Sequence, residues 1–108
     1  PVFVLIHKPL WFTKGWMADI HPLLLKYGVD IVFGSHYHRY DRMTRDGIRH
    51  IVTGGGGAYM HPPLTKGSIH HYLFVTVVDS TIKIAVIKPG NILAETFLEE
   101  RYIDEYLK

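Results

Sequence analysis

The chain has 108 residues, 47% of them hydrophobic and 20% charged, a balance that excludes a disordered segment and predicts one packed domain. It has no cysteine, which excludes disulfides and thiolate metal sites, and no apolar run reaches the ~18 residues that a membrane-spanning helix needs. The net charge of +2 conceals an asymmetry: residues 1–94 carry ten basic and five acidic groups, and residues 95–108 carry two and five, so a mildly basic body precedes an acidic tail.

In chain order, Val2 to Ile6 is a continuous β-branched and apolar run, the pattern of a strand buried on both faces. It ends at His7-Lys8-Pro9, where the proline holds Lys8 extended. A run that begins so abruptly at Pro1 is expected to continue a longer chain. Asp19 is the expected cap of a short helix with Pro22 in its first turn, an apolar stripe of Ile20, Leu23, Leu24 and Tyr27, and Gly28 as its stop. Val29 to Phe33 is a second buried strand. Strand, helix and strand within about thirty residues make a βαβ unit with parallel strands. A third strand is expected in "IRHIVTGGGG" after a turn at Asp46-Gly47, then a hairpin turning at Asp79 to Thr81, and a last strand near Leu93 to Leu98. The tail "ERYIDEYLK" reads as a short exposed helix or a frayed end. The whole predicts an α/β domain, a βαβ unit followed by a β-meander.

Parallel strands bring their C-terminal ends to one edge, where open α/β sheets bind ligands. His7 follows the first strand; His36 and His38, in "FGSHYHRYDR", follow the second. Among eight histidines the spacing H-x-H arises by chance, so position carries the weight: three imidazoles leave two neighbouring strand ends, a placement suited to zinc, iron, manganese or nickel. His21, His50, His70 and His71 are expected to be surface or half-buried, whereas His61, after the glycines, is placed to fold over the same edge and touch substrate. "TGGGGAYM" fails as a phosphate loop, because no Lys-Ser or Lys-Thr follows at the required spacing. Arg39, Arg42, Arg45 and Arg49 are interrupted by Asp41 and Asp46, which favours a solvated face over a nucleic-acid groove. One of them could still clamp a phosphate with bidentate hydrogen bonds.

"VFVLIHKPLW", "YGVDIVFGSHYHRYDR" and "HIVTGGGGAYM", in that order, resemble segments of the calcineurin-like metallophosphoesterases, which include the purple acid phosphatases. The resemblance implies a β-sandwich of two mixed sheets flanked by helices, with a dinuclear centre above the strand ends. It implies that His7 and His36 bind one ion and His38 the other, the ions being two divalent or trivalent metals such as Mn, Fe or Zn. The implied substrate is a phosphate ester, hydrolysed by a hydroxide that two metal ions activate, with Arg42 and His61 as candidate substrate contacts. Two departures stand out. Ser35 precedes His36 where the family has glycine, and the segments D-x-H, G-D-x-x-D and G-N-H that supply the carboxylate and asparagine ligands have no counterpart. The chain is therefore expected to be the C-terminal portion of such a domain, inactive alone, and to associate with the absent N-terminal half or with another copy that completes the sheet. The alternative is a non-catalytic binding or scaffold module on the same fold.

Overall fold

The computed structural model describes residues 1–60, 62 and 64–98; the tail read as a helix or frayed end, residues 100–108, lies outside them. Among the described residues seven strands form two sheets. The first contains β1 (Phe3–Leu5), β2 (Ile31–Gly34), β3 (Tyr40–Arg45) and β4 (Ile48–Thr53) in the order β1-β2-β4-β3. β1, β2 and β4 run parallel, and β3 returns antiparallel to β4. The second contains β5 (Tyr72–Val78), β6 (Thr81–Lys88) and β7 (Asn91–Ala94) as a meander. The expected βαβ unit is present, and the mixed α/β architecture with two sheets and few helices agrees with the sequence. The second sheet is wholly antiparallel, because each of its connections is a tight turn, with Asp79 (φ 54°) in the first and Gly90 (φ 80°) in the second.

Alternation along the strands sorts the residues of the first sheet into two faces. One carries Ile31, Ile51 and Tyr40, which pack with Ile84, Val86 and Leu98 to form the core between the sheets. The other carries Val32, Ile48 and Val52, which pack under Trp11, Trp16 and Leu24. The helix α1 (His21–Lys26) differs from expectation. Thr13, not Asp19, supports the start of the helical stretch, its Oγ1 accepting from the Trp16 amide at 3.2 Å. A π-helical turn over Trp16–Ile20 precedes α1. One π turn sets Trp16 and His21, five residues apart, on the same side; with Leu24 they face the core, while Ile20, Leu23 and Tyr27 are exposed.

β3 was not foreseen: its residues read as a charged surface. The expected turn at Asp46-Gly47 is present, both residues having positive φ (50° and 78°), and it is the type I′ turn of a hairpin whose first strand is β3. The arginines on this hairpin are not a solvated face. Arg42 Nε and Arg49 Nη1 donate to opposite oxygens of Glu95 at 2.8 and 2.6 Å, a charge-assisted clamp between the two sheets.

Three histidines expected near the surface are buried: His21, His50 and His71. His71 Nδ1 donates to the Ile69 carbonyl at 2.8 Å, so Nε2 accepts from the Thr53 hydroxyl at 3.0 Å. His50 Nδ1 donates to the Ile48 carbonyl at 3.0 Å. His21 Nε2 meets Asp46 Oδ2 at 2.8 Å. Burial pushes the imidazoles of His50 and His71 below the ordinary 6.5, and for His50 the neighbouring His21 and Arg45 add to it. Near pH 6.5 the unfolded chain takes up protons that the folded chain refuses, so stability present above pH 6.5 is lost as pH falls below it. The slope reaches about 1.4 kcal/mol per pH unit for each group. A urea midpoint lower at pH 5.5 than at pH 7.5, with a smaller difference in His50→Phe, is the expected result; equal midpoints would refute it.

Candidate metal centre

The parallel ladder extends past the end of β1. Ile6 donates to the Phe33 carbonyl at 3.0 Å and Ser35 to the His7 carbonyl at 2.8 Å, which keeps His7 level with the segment leaving β2. Pro9 then turns the chain back, and Trp11 lies across Gly34: a Cβ there would stand 2.9 Å from the Trp11 ring and 3.3 Å from Pro9. The glycine of "FGSH" thus makes room for the segment that follows the first histidine.

His36 has φ 64°, the left-handed region, which costs a non-glycine residue roughly 1–2 kcal/mol. A strained backbone of this kind persists where surrounding structure enforces it, and it clusters at functional sites. Here it brings His36 Nδ1 to 3.3 Å from His7 Nε2, with the rings nearly perpendicular at 86°. Both side chains are exposed. The Tyr37 ring packs edge-on against His36 at 5.1 Å, and the Arg39 guanidinium lies 5.2 Å from the Tyr37 ring. His38 is half-buried, and its Nδ1 donates to the Tyr59 carbonyl at 2.6 Å.

These donors suit a metal in part. Two nitrogens each 2.0–2.1 Å from one tetrahedral ion stand about 3.3–3.4 Å apart, which matches the separation of His7 and His36. His38 has the backbone-carbonyl partner that commonly orients a ligating imidazole. Among the described residues, however, no three histidine or carboxylate side chains gather closely enough to hold an ion. His7 and His36 come together; His38 does not join them. Arg42 lies on the inner face of β3, with its Nε bound by Glu95 and its side chain 11% exposed. His61 lies outside the described residues.

The start of the glycine run holds this edge in place, a close passage of backbone that glycine permits. Gly54 follows β4 and donates to the Arg39 carbonyl at 3.0 Å, and a Cβ on it would stand 2.0 Å from the Tyr37 carbonyl oxygen. Gly55 accepts from the His71 amide at 2.9 Å. Gly54 and Gly55 lie against neighbouring backbone, whereas Gly56 and Gly57 stand open, a division that four consecutive glycines do not signal.

The two sheets, with histidines at the C-terminal ends of the parallel strands, have the fold of the calcineurin-like metallophosphoesterases. Purple acid phosphatase 18 of Arabidopsis thaliana is 37% identical over 73 residues, an alignment that covers 52% of this chain and 16% of that protein. Among solved structures, GAP50, the anchor in the inner membrane complex of Plasmodium, matches with a TM-score of 0.61 and 14% identity, over 82% of this chain and 33% of that one. Vps29 of Entamoeba histolytica, solved with zinc, matches with a TM-score of 0.52 and 20% identity, over 82% of this chain and 48% of that one. No family model matches the chain. It spans about a sixth of the plant phosphatase and no more than half of either structural relative.

Proposed function

We propose that this chain is the C-terminal portion of the catalytic domain of a metal-dependent phosphoesterase, contributing His7, His36 and His38 to a two-metal centre. The observation that carries this reading is the His7–His36 pair, 3.3 Å apart and held at a parallel-sheet edge by a strained backbone. Similarity to a purple acid phosphatase and to a zinc-bound Vps29 supports it. In this proposal metal ions, whether Mn, Fe or Zn, supply Lewis acidity toward the phosphoryl oxygens of a phosphate ester. The chain's own residues do the positioning. His7 and His36 present adjoining ring nitrogens, the Tyr59 carbonyl orients His38, and glycines 54–57 keep side chains away from the approach to the edge. His61 enters the proposal as a substrate contact. Arg42 enters it also, and there a phosphate would have to compete with the Glu95 carboxylate.

Association belongs to the same proposal. β1 and β5 are the outer strands of their sheets and expose large apolar side chains: Phe3 and Leu5 on β1, Tyr72, Phe74 and Val78 on β5. Unpaired edges of this kind favour the addition of further strands, from an N-terminal half or from a second copy.

The test is reconstitution. Joined to an N-terminal half that bears D-x-H and G-D-x-x-D, and supplied with Mn, Fe or Zn, the chain is expected to release phosphate from an aryl phosphate, and His38→Ala to abolish that release. Inactivity with both metals bound would refute the proposal. That outcome would favour the second reading, a binding module on the same fold. Its support is the apolar outer row Tyr72–Ile87–Ile92 of the second sheet, in which Tyr72 and Ile92 are more than half exposed, together with the description of GAP50 as an anchor.

A further inference from the structure

A concave surface of about 530 Å³ runs along the glycine loop, between Gly55–Gly57 on one side and Tyr72, Ile87, Lys88 and Pro89 on the other. Through Gly57 and His70 it adjoins a second hollow of about 470 Å³ beside Ala58, Tyr59 and Met60. Tyr59 is the residue whose carbonyl holds His38. The two hollows, adjacent through Gly57 and His70, therefore lie between the Tyr59 end of the histidine-bearing edge and the turn between β6 and β7. Each has the size of a small-molecule site.

The lining selects a chemistry. Gly56 and Gly57 have open space where a Cβ would stand, so the backbone forms one wall. Tyr72, Ile87 and Pro89 form an apolar wall suited to a planar group. Lys88 is the one lysine, arginine or carboxylate among the described lining residues, and no described carboxylate forms an ion pair with it. The following Pro89-Gly90, with φ 80° at the glycine, makes a rigid turn that fixes where Lys88 leaves β6. His70 Nε2 donates to the Ala58 carbonyl at 2.9 Å, so its Nδ1 is an acceptor where the two hollows meet.

We propose that these hollows receive the leaving group of the substrate, and that the substrate is a phosphate ester whose leaving group has a planar apolar body and a second anionic group that pairs with Lys88. The inference rests on the metal-centre reading for the end at which the reacting phosphate sits. The test compares 4-carboxyphenyl phosphate with phenyl phosphate in amide-resolved NMR titrations of the full chain, with and without zinc. The carboxylated probe, which carries one more negative charge than phenyl phosphate, is expected to bind at least about threefold more tightly, within the range of one exposed ion pair, and to shift Gly56 and Gly57, and Lys88→Gln is expected to equalise the two affinities. Equal affinities in the unaltered chain, or a preference that survives Lys88→Gln, would overturn the proposal. Inorganic phosphate, titrated in parallel, tests the underlying reading by itself. Phosphate binding that requires zinc and is lost in His7→Ala upholds the metal centre, and its absence removes that centre while the Lys88-dependent preference is still read from the two aryl phosphates without zinc.

Discussion

His7→Ala is expected to lower the zinc affinity of the chain by more than about tenfold, since loss of a mere outer partner of a ligand already costs 10–100-fold. The stability of the apo chain should change little, because His7 is exposed and exposed substitutions away from special features stay within about 0.5 kcal/mol. His36→Gly separates geometry from ligation more sharply. It removes the ring that faces His7 and also relieves the strain of φ 64°, a gain of about 1–2 kcal/mol set against glycine's entropic cost of about 0.5–1 kcal/mol. The variant should therefore be at least as stable as the parent yet bind zinc as poorly as His7→Ala. Competition with a chromophoric chelator, beside thermal melts, reads both quantities. Unchanged zinc affinity in either variant would remove the pair as a metal site.

The second large effect is structural and reaches the same edge. Gly54→Ala would place a methyl 2.0 Å from the Tyr37 carbonyl oxygen and 2.8 Å from its carbonyl carbon. That obstacle is backbone and cannot rotate away. Overpacking costs about 1–3 kcal/mol where side chains can adjust, so a loss of about 3 kcal/mol or more is expected here. The Gly54–Arg39 hydrogen bond should be lost with it, and His38 should lose its fixed position. Gly56→Ala is the control, because nothing lies within 4 Å of its added Cβ, and it should stay within about 0.5 kcal/mol. Urea denaturation compares the two. Equal midpoints would show that the loop shifts freely, and with it the support for His38.

Much of the fold was legible locally. The apolar runs at Val2–Ile6 and Val29–Phe33 form strands as expected, and the helix between them requires a parallel crossover. Burial divides them, because β2 lies inside its sheet and is buried whereas β1 is an outer strand that exposes Phe3 and Leu5 rather than burying both faces. Asp79 and Pro89-Gly90 punctuate the meander. β3 was illegible because its alternation places charged side chains on both faces: Arg42 faces inward to Glu95 and Arg45 reaches the Trp11 carbonyl at 2.9 Å. Charge at those positions looks like surface until the partner, distant in sequence, is known. The buried histidines were misread for the same reason. The Ile48 and Ile69 carbonyls and Asp46 each bond one ring nitrogen, which for His21 and His50 leaves the other buried without a partner among the described residues, and none of these relations is visible in composition.

By itself the sequence determined the strand–helix–strand unit, the side of the sheet on which His7, His36 and His38 emerge, and the chemistry that imidazoles bring there. Those follow from periodicity and chain direction, which are local. Tertiary structure decided which of the histidines meet. His7 and His36 face each other because the β1–β2 ladder and the left-handed backbone at His36 align them, while His38 is turned to Tyr59 by a loop 21 residues further along the chain. Orientation at a site depends on contacts that close only on folding, and so no spacing along the chain could have decided it.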